Sequence, residues 1–197
     1  MASHVTRTVK ALTDAGYNPD FIDAELLAMK GKVNGNALAF GDVRYHVVVL
    51  PSVERIPPTT MKTLEAFAQA GGILVATKRF PDLAPGYKAT EQETASVRDM
   101  AQQLFAGSNA PGTIVADESQ LGDVLTKRLP PVAAMSPASP EIGVVHRSTD
   151  AGEVFFNDLL SPGKSIAPTH QRDYGRSDER LTTVSCLTLA MAYLRFD

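Results

Sequence analysis

The apolar positions of the chain gather into two dense runs separated by a helical stripe. Residues 46–50 (HVVVL) and 73–77 (ILVAT) are almost continuously hydrophobic, the pattern of strands covered on both faces, as in a parallel sheet. Pro51 ends the first run, and Pro57-Pro58 open a helix at the position where a missing N–H costs least. Met61, Leu64, Phe67 and Ala68 share one helical face, and Gly71-Gly72 release the chain into the second run. A strand, a helix and a strand joined so closely predict a right-handed βαβ unit with its strands parallel.

The flanking segments extend the same pattern. Residues 3–15 set Val5, Val9 and Leu12 at helical spacing, with Gly16 as the stop. Residues 20–23 (DFID) predict a short strand, and AELLAMKG after them a turn or two of helix. Residues 32–45, with the turn dipeptides Asn34-Gly35 and Gly41-Asp42, predict a small hairpin that feeds the central strand. Beyond Thr77 the segment KRFPDLAPGYKA reads as a loop. Thr90 and Glu93 form a capping box for a helix bearing Val97, Met100, Ala101, Leu104 and Phe105. Residues 113–116 (TIVA) predict a strand. Asp117 caps a helix that turns Leu121, Val124 and Leu125 inward and stops at Pro130-Pro131.

Further on, residues 131–140 are rich in Pro, Ala and Ser and read as a linker. Residues 142–147 (IGVVHR) and 153–156 (EVFF) predict a hairpin, and residues 157–180 are polar and rich in turn formers. Val184, Leu187, Met191 and Leu194 predict a terminal helix. The organisation expected is an α/β domain over 1–130, a linker and β-hairpin completing or extending the sheet over 131–156, and a poorly defined tail with a terminal helix over 157–197. One element is missing from this order. A doubly wound domain starts with a strand at the sheet centre, whereas this chain starts in a helix. The hairpin, or a segment of another copy, is the expected filler of that slot.

Composition narrows the function classes. A formal net charge of −3 with scattered basic residues leaves no electrostatic footprint for nucleic acid. The longest apolar runs are far too short to span a bilayer, and MASHVTRTVKAL lacks the apolar core of a secretory signal. The chain as it stands is therefore expected to be soluble and cytoplasmic-like. With Cys186 alone, there is neither an intrachain disulfide nor a multi-cysteine metal site. No cofactor is implied.

Four residues stand where strand ends would offer them to a small ligand. Asp23 ends a predicted strand, where an acid can hold a ribose hydroxyl, yet no glycine-rich phosphate loop accompanies it. Ser52 and Glu54 follow the central strand at the place of a nucleophile elbow. There the bulky Leu50-Pro51-Ser52-Val53-Glu54 run replaces the small residues such a bend needs. Thr77 ends the second strand. None of the four is assigned a catalytic role. His4, His46, His146 and His170 never reach metal-ligand spacing, so no metal site is expected. Helix capping accounts for Glu91, Glu93, Asp117 and Glu118 without invoking a catalytic carboxylate pair.

The stretches GYNPDFID, RYHVVVLPSVERIPPTTMKTLEAFAQAGGILVAT, FPDLAPG and EIGVVHR together resemble a region of large bacterial glycoside hydrolases of the α-L-rhamnosidase-like family. The resemblance runs from about Gly16 to Phe156 and is most specific over residues 48–77. It implies a three-layer flavodoxin-like domain of the class I glutamine-amidotransferase type, a parallel sheet with helices on both faces, placed after a catalytic barrel. It also implies a non-catalytic domain or truncated fragment acting as scaffold or interface in carbohydrate degradation. The barrel of the parent glycosidase would be its partner, and a homo-oligomer or a small-ligand-binding domain would be the alternatives. The family's catalytic acids lie on the barrel, and none is carried over to this chain.

Overall fold

The computed structural model describes residues 3–131 together with the strand segments 142–149, 152–159 and 185–189. Its organising unit is the one the hydrophobic runs predict. β4 (Val43–Pro51) ends at Pro51, α3 (Pro58–Gln69) starts with Pro58 in its first turn, and β5 (Ile73–Thr77) runs parallel to β4. The register pairs Val47 with Ile73 and Pro51 with Thr77. Met61, Leu64, Phe67 and Ala68 are buried, as the helical stripe requires. Gly72 has no latitude, because a Cβ there would stand 2.2 Å from the Phe67 ring.

Before this unit come α1 (His4–Asp14), β1 (Asn18–Ile22), α2 (Ala24–Lys30), and the hairpin of β2 (Lys32–Asn34) and β3 (Ala37–Phe40). After it come α4 (Glu91–Phe105), β6 (Thr113–Val115), a 3-10 turn (Glu118–Gln120) and α5 (Leu121–Thr126). The Thr90–Glu93 capping box opens α4 as expected. Asp117 caps the 3-10 turn that leads into α5, rather than α5 itself. β7 (Ile142–Thr149), β8 (Gly152–Leu159) and β9 (Ser185–Leu189) complete the order.

Five strands run parallel in the order β1-β9-β4-β5-β6. β3 pairs antiparallel with the first residues of β4, on the edge that β5 takes up further along. The position beside β4 is filled by a strand from late in the sequence. β9 enters between β1 and β4, so the hairpin does not occupy it. Residues 185–189 are strand where the apolar spacing predicts helix. A five-residue segment with hydrogen-bonding partners on both edges satisfies its backbone groups without helical bonds. β7 and β8 pair with each other as a separate two-stranded sheet and do not extend the main one. The expected linker and the rest of the tail lie outside the described residues.

Alternation along β4 divides the core. Val48 and Leu50 join Met61, Leu64 and Phe67 of α3 and Val97, Ala101 and Leu104 of α4. Val47 and Val49 join Leu12 of α1, Tyr17, and Leu121 and Leu125 of α5. Because successive strand residues face opposite ways, helices cover the sheet on both sides. Tyr17, fully buried, resolves its polar end by donating its hydroxyl to the Leu129 carbonyl at 2.6 Å.

Candidate functional site

In open parallel sheets, ligands bind beyond the carboxyl ends of the strands. Here that edge gathers the segment after β4, the loop after β5, the 3-10 turn after β6, and Asp23 after β1. Two non-glycine residues on it have left-handed backbones, Ser52 (φ 52°) and Lys78 (φ 63°). Each such conformation costs about 1–3 kcal/mol and persists only where its surroundings enforce it. The Ser52 N–H donates to Thr77 Oγ1 at 3.1 Å, and the Lys78 N–H donates to the Val115 carbonyl at 2.7 Å.

The structure brings Ser52 and Thr77 together, turns Glu54 to Arg79, and leaves Asp23 apart. Thr77 is fully buried, and its hydroxyl serves the Ser52 backbone. Ser52 has the strained bend of a nucleophile elbow, but α3 begins only at Pro58, so no helix N-terminus stands directly behind it. Among the described residues no histidine or carboxylate is hydrogen-bonded to it. Asp23 lies beyond β9, on the order of 10 Å across the sheet at two strand spacings. Its carboxylate accepts from the Leu26 N–H at 2.7 Å and caps α2.

The loop after β5 folds down over the segment after β4. Asp82 and Leu83 donate their N–H groups to the Glu54 carbonyl, and Ile56 donates to the Leu83 carbonyl. Arg55 reaches the Ala84 carbonyl at 3.2 Å, and the Ala84 N–H donates to the buried Thr94 hydroxyl. Val53, Ile56 and Ala84 are buried beneath this seam. Arg79 bridges Glu54 at 3.1 Å and Asp82 at 2.9 Å. These ion pairs are exposed and contribute about 0–1 kcal/mol each, so the backbone bonds and the buried apolar residues carry the closure.

A second cluster on the same edge escaped the sequence reading. The Glu118 side chain is only 3% exposed and meets three bases. His4 Nδ1 lies 2.8 Å from Oε1, while Lys78 Nζ and Arg7 Nε lie 3.2 and 3.5 Å from Oε2. So short an approach of His4 to a carboxylate requires the proton on Nδ1. The equally close Arg7 Nη2 is then an electrostatic neighbour of that nitrogen rather than its hydrogen-bond donor. Desolvation is the largest single influence on the Glu118 carboxyl and pushes its pKa up. Hydrogen bonds from His4, the backbone and Lys78 together outweigh it and hold the group below its ordinary range. The sequence signal for this cluster was masked by Asp117, whose local cap explains an acidic pair at a helix start without any distant partner.

The chemistry of these acids follows from their partners. Glycoside hydrolysis uses two carboxyl groups, one kept protonated by a raised pKa. Wherever a carboxyl shift is resolved here, it is downward. Glu93 is lowered by the backbone and hydroxyl of Thr90, Asp117 by the backbone and hydroxyl of Ser119, and Glu118 by its bases. Among the described residues no group of acids, histidines and cysteines has the makings of a metal site, and no helix is long and apolar enough to cross a membrane.

A family model described as alpha-L-rhamnosidase, glycoside hydrolase family 106, matches residues 2–182. No curated protein and no solved structure matches the chain.

Proposed function

The chain belongs to the α-L-rhamnosidase family of glycoside hydrolases, and from that premise we propose that it is a non-catalytic module serving such an enzyme as scaffold and contact surface. Its fold in this reading is three-layer and flavodoxin-like, of the class I glutamine-amidotransferase type. The parallel order with helices on both faces supports that assignment. The observation that carries the functional reading is the Glu54 carbonyl receiving Asp82 and Leu83. These bonds tie the loop after β5 to the segment that follows Ser52. The downward shifts of Glu93, Asp117 and Glu118 agree, since an acid held ionised is a poor proton donor to a leaving group. The test is the purified chain with an aryl α-L-rhamnoside. Release of the aryl group at the buffer rate is expected, and turnover that scales with protein concentration would overturn the proposal.

A second reading draws on the left-handed backbones of Ser52 and Lys78. Strain of this kind collects at ligand sites, and a small molecule bound near Asp23, Ser52 and Thr77 would be its occupant. A thermal-shift panel of nucleotides and sugars decides it, because binding to the folded state alone raises the melting temperature. Uniformly flat results reject it.

A further inference from the structure

We propose that α1 is a detachable helix, latched at its first turn by the Glu118 cluster and hinged at Gly16, which swings off the sheet while the rest of the domain stays folded. Its grip on the core is thin. Thr8 and Leu12 are its buried residues, whereas α3 buries Met61, Leu64, Phe67 and Ala68. Thr8 is fully buried, yet its hydroxyl has no hydrogen-bond partner among the described residues. Such a hydroxyl opposes docking, because water satisfies it once the helix lifts. Leu12, with the partly buried Ala11 and Ala15 beside it, is what α1 brings to the core it shares with Val47, Val49 and Leu121.

The remaining hold is polar and sits at the N-terminal end of the helix. His4 and Arg7, one turn apart, reach the Glu118 carboxylate at 2.8 and 3.5 Å, and Lys78 reaches it from beyond β5 at 3.2 Å. These bases are partly exposed, so water takes them up as soon as the pairing loosens. At the other end the chain turns through Gly16 at φ 86°, where a residue without a Cβ pivots at little steric cost. Tyr17 follows at once, fully buried and bonded to the Leu129 carbonyl, and it keeps the start of β1 in place when the helix leaves. Latch, thin contact, hinge and anchor thus succeed one another from His4 to Tyr17. Elements with few buried apolar contacts are the ones that open below the global limit, and this opening is independent of any role in sugar chemistry.

The experiment is native-state amide hydrogen exchange, resolved by NMR, on the full chain and two variants. In the unaltered chain the amides of residues 8–14 are expected to share one protection level, about a hundredfold or more below that of the β4 and β5 core amides. Glu118→Gln breaks the latch and should lower that level roughly tenfold. Val97→Ala weakens the opposite face of the sheet, where Val97 packs with Leu64 and Phe67. It should lower the core amides and leave those of α1 where they were, because α1 leaves without disturbing that face. A common level for α1 and the core would overturn the proposal, as would a Val97→Ala loss shared equally by both. So would α1 amides indifferent to Glu118→Gln. Protection that rises step by step from residue 8 to residue 14 would also reject it, since that pattern marks fraying from the end rather than a hinged release. Should either variant not fold, His4→Gln and Ile56→Val repeat the two arms.

Discussion

Replacing Glu118 with glutamine removes one negative charge and little volume, and leaves His4, Arg7 and Lys78 converging on a neutral amide. Breaking a buried pair by removing one partner costs about 3–5 kcal/mol when both charges are sequestered. Here the carboxylate is buried, but His4, Arg7 and Lys78 are 45%, 38% and 32% exposed, and water screens what they lose. A cost of about 1–2.5 kcal/mol remains after that discount, or a fall of roughly 3–8 °C in Tm for a chain of this size. The pH dependence has a definite sign. A carboxyl whose pKa is depressed in the folded state contributes stability above its unfolded value, and that contribution is lost as pH falls through the folded value. The gap between the unaltered chain and Glu118→Gln should therefore be full at neutral pH and close in acid, below the ordinary 4.5 of a glutamate. Urea unfolding at neutral pH and in acid measures it. Equal stabilities at neutral pH, or a gap that persists undiminished in acid, would refute the cluster as the clasp holding α1 to the ends of β5 and β6.

Other outcomes follow from single contacts. Gly72→Ala drives a methyl into the Phe67 ring and should cost about 1–3 kcal/mol in denaturant unfolding. Tyr17→Phe leaves the Leu129 carbonyl without its hydroxyl partner and should cost about 1–2 kcal/mol. Thr90→Ala removes the hydroxyl partner of the Glu93 carboxylate, so a carbon-detected titration should show the Glu93 pKa move up toward its ordinary value.

The legible part of the fold is where local signals and tertiary context agree. Pro51, Pro57, Pro58 and Gly72 punctuate apolar runs so sharply that β4, α3 and β5 follow from them. Residues 185–189 show the opposite case. Val184, Leu187, Met191 and Leu194 keep a helical spacing, and only two waiting strand edges, built from residues 18–22 and 43–51, make the segment extended. The strand expected over residues 20–23 runs from Asn18 to Ile22, one residue short of Asp23 because that residue caps α2. At the site, the meeting of Ser52 with Thr77 follows once β4 and β5 are parallel and in register. The Glu118 cluster does not, since its members sit at positions 4, 7, 78 and 118 and come together only through the sheet.

Whether the carboxyl edge of β4 and β5 is closed by the chain's own backbone can be read most directly from amide hydrogen exchange at Ile56, Asp82 and Leu83, resolved by NMR. All three N–H groups are bonded across the seam, so the expected result is protection approaching that of the β4 and β5 core amides. Exchange at the rate of an unstructured loop would contradict it, leaving the edge open to a ligand and the scaffold reading without its main support.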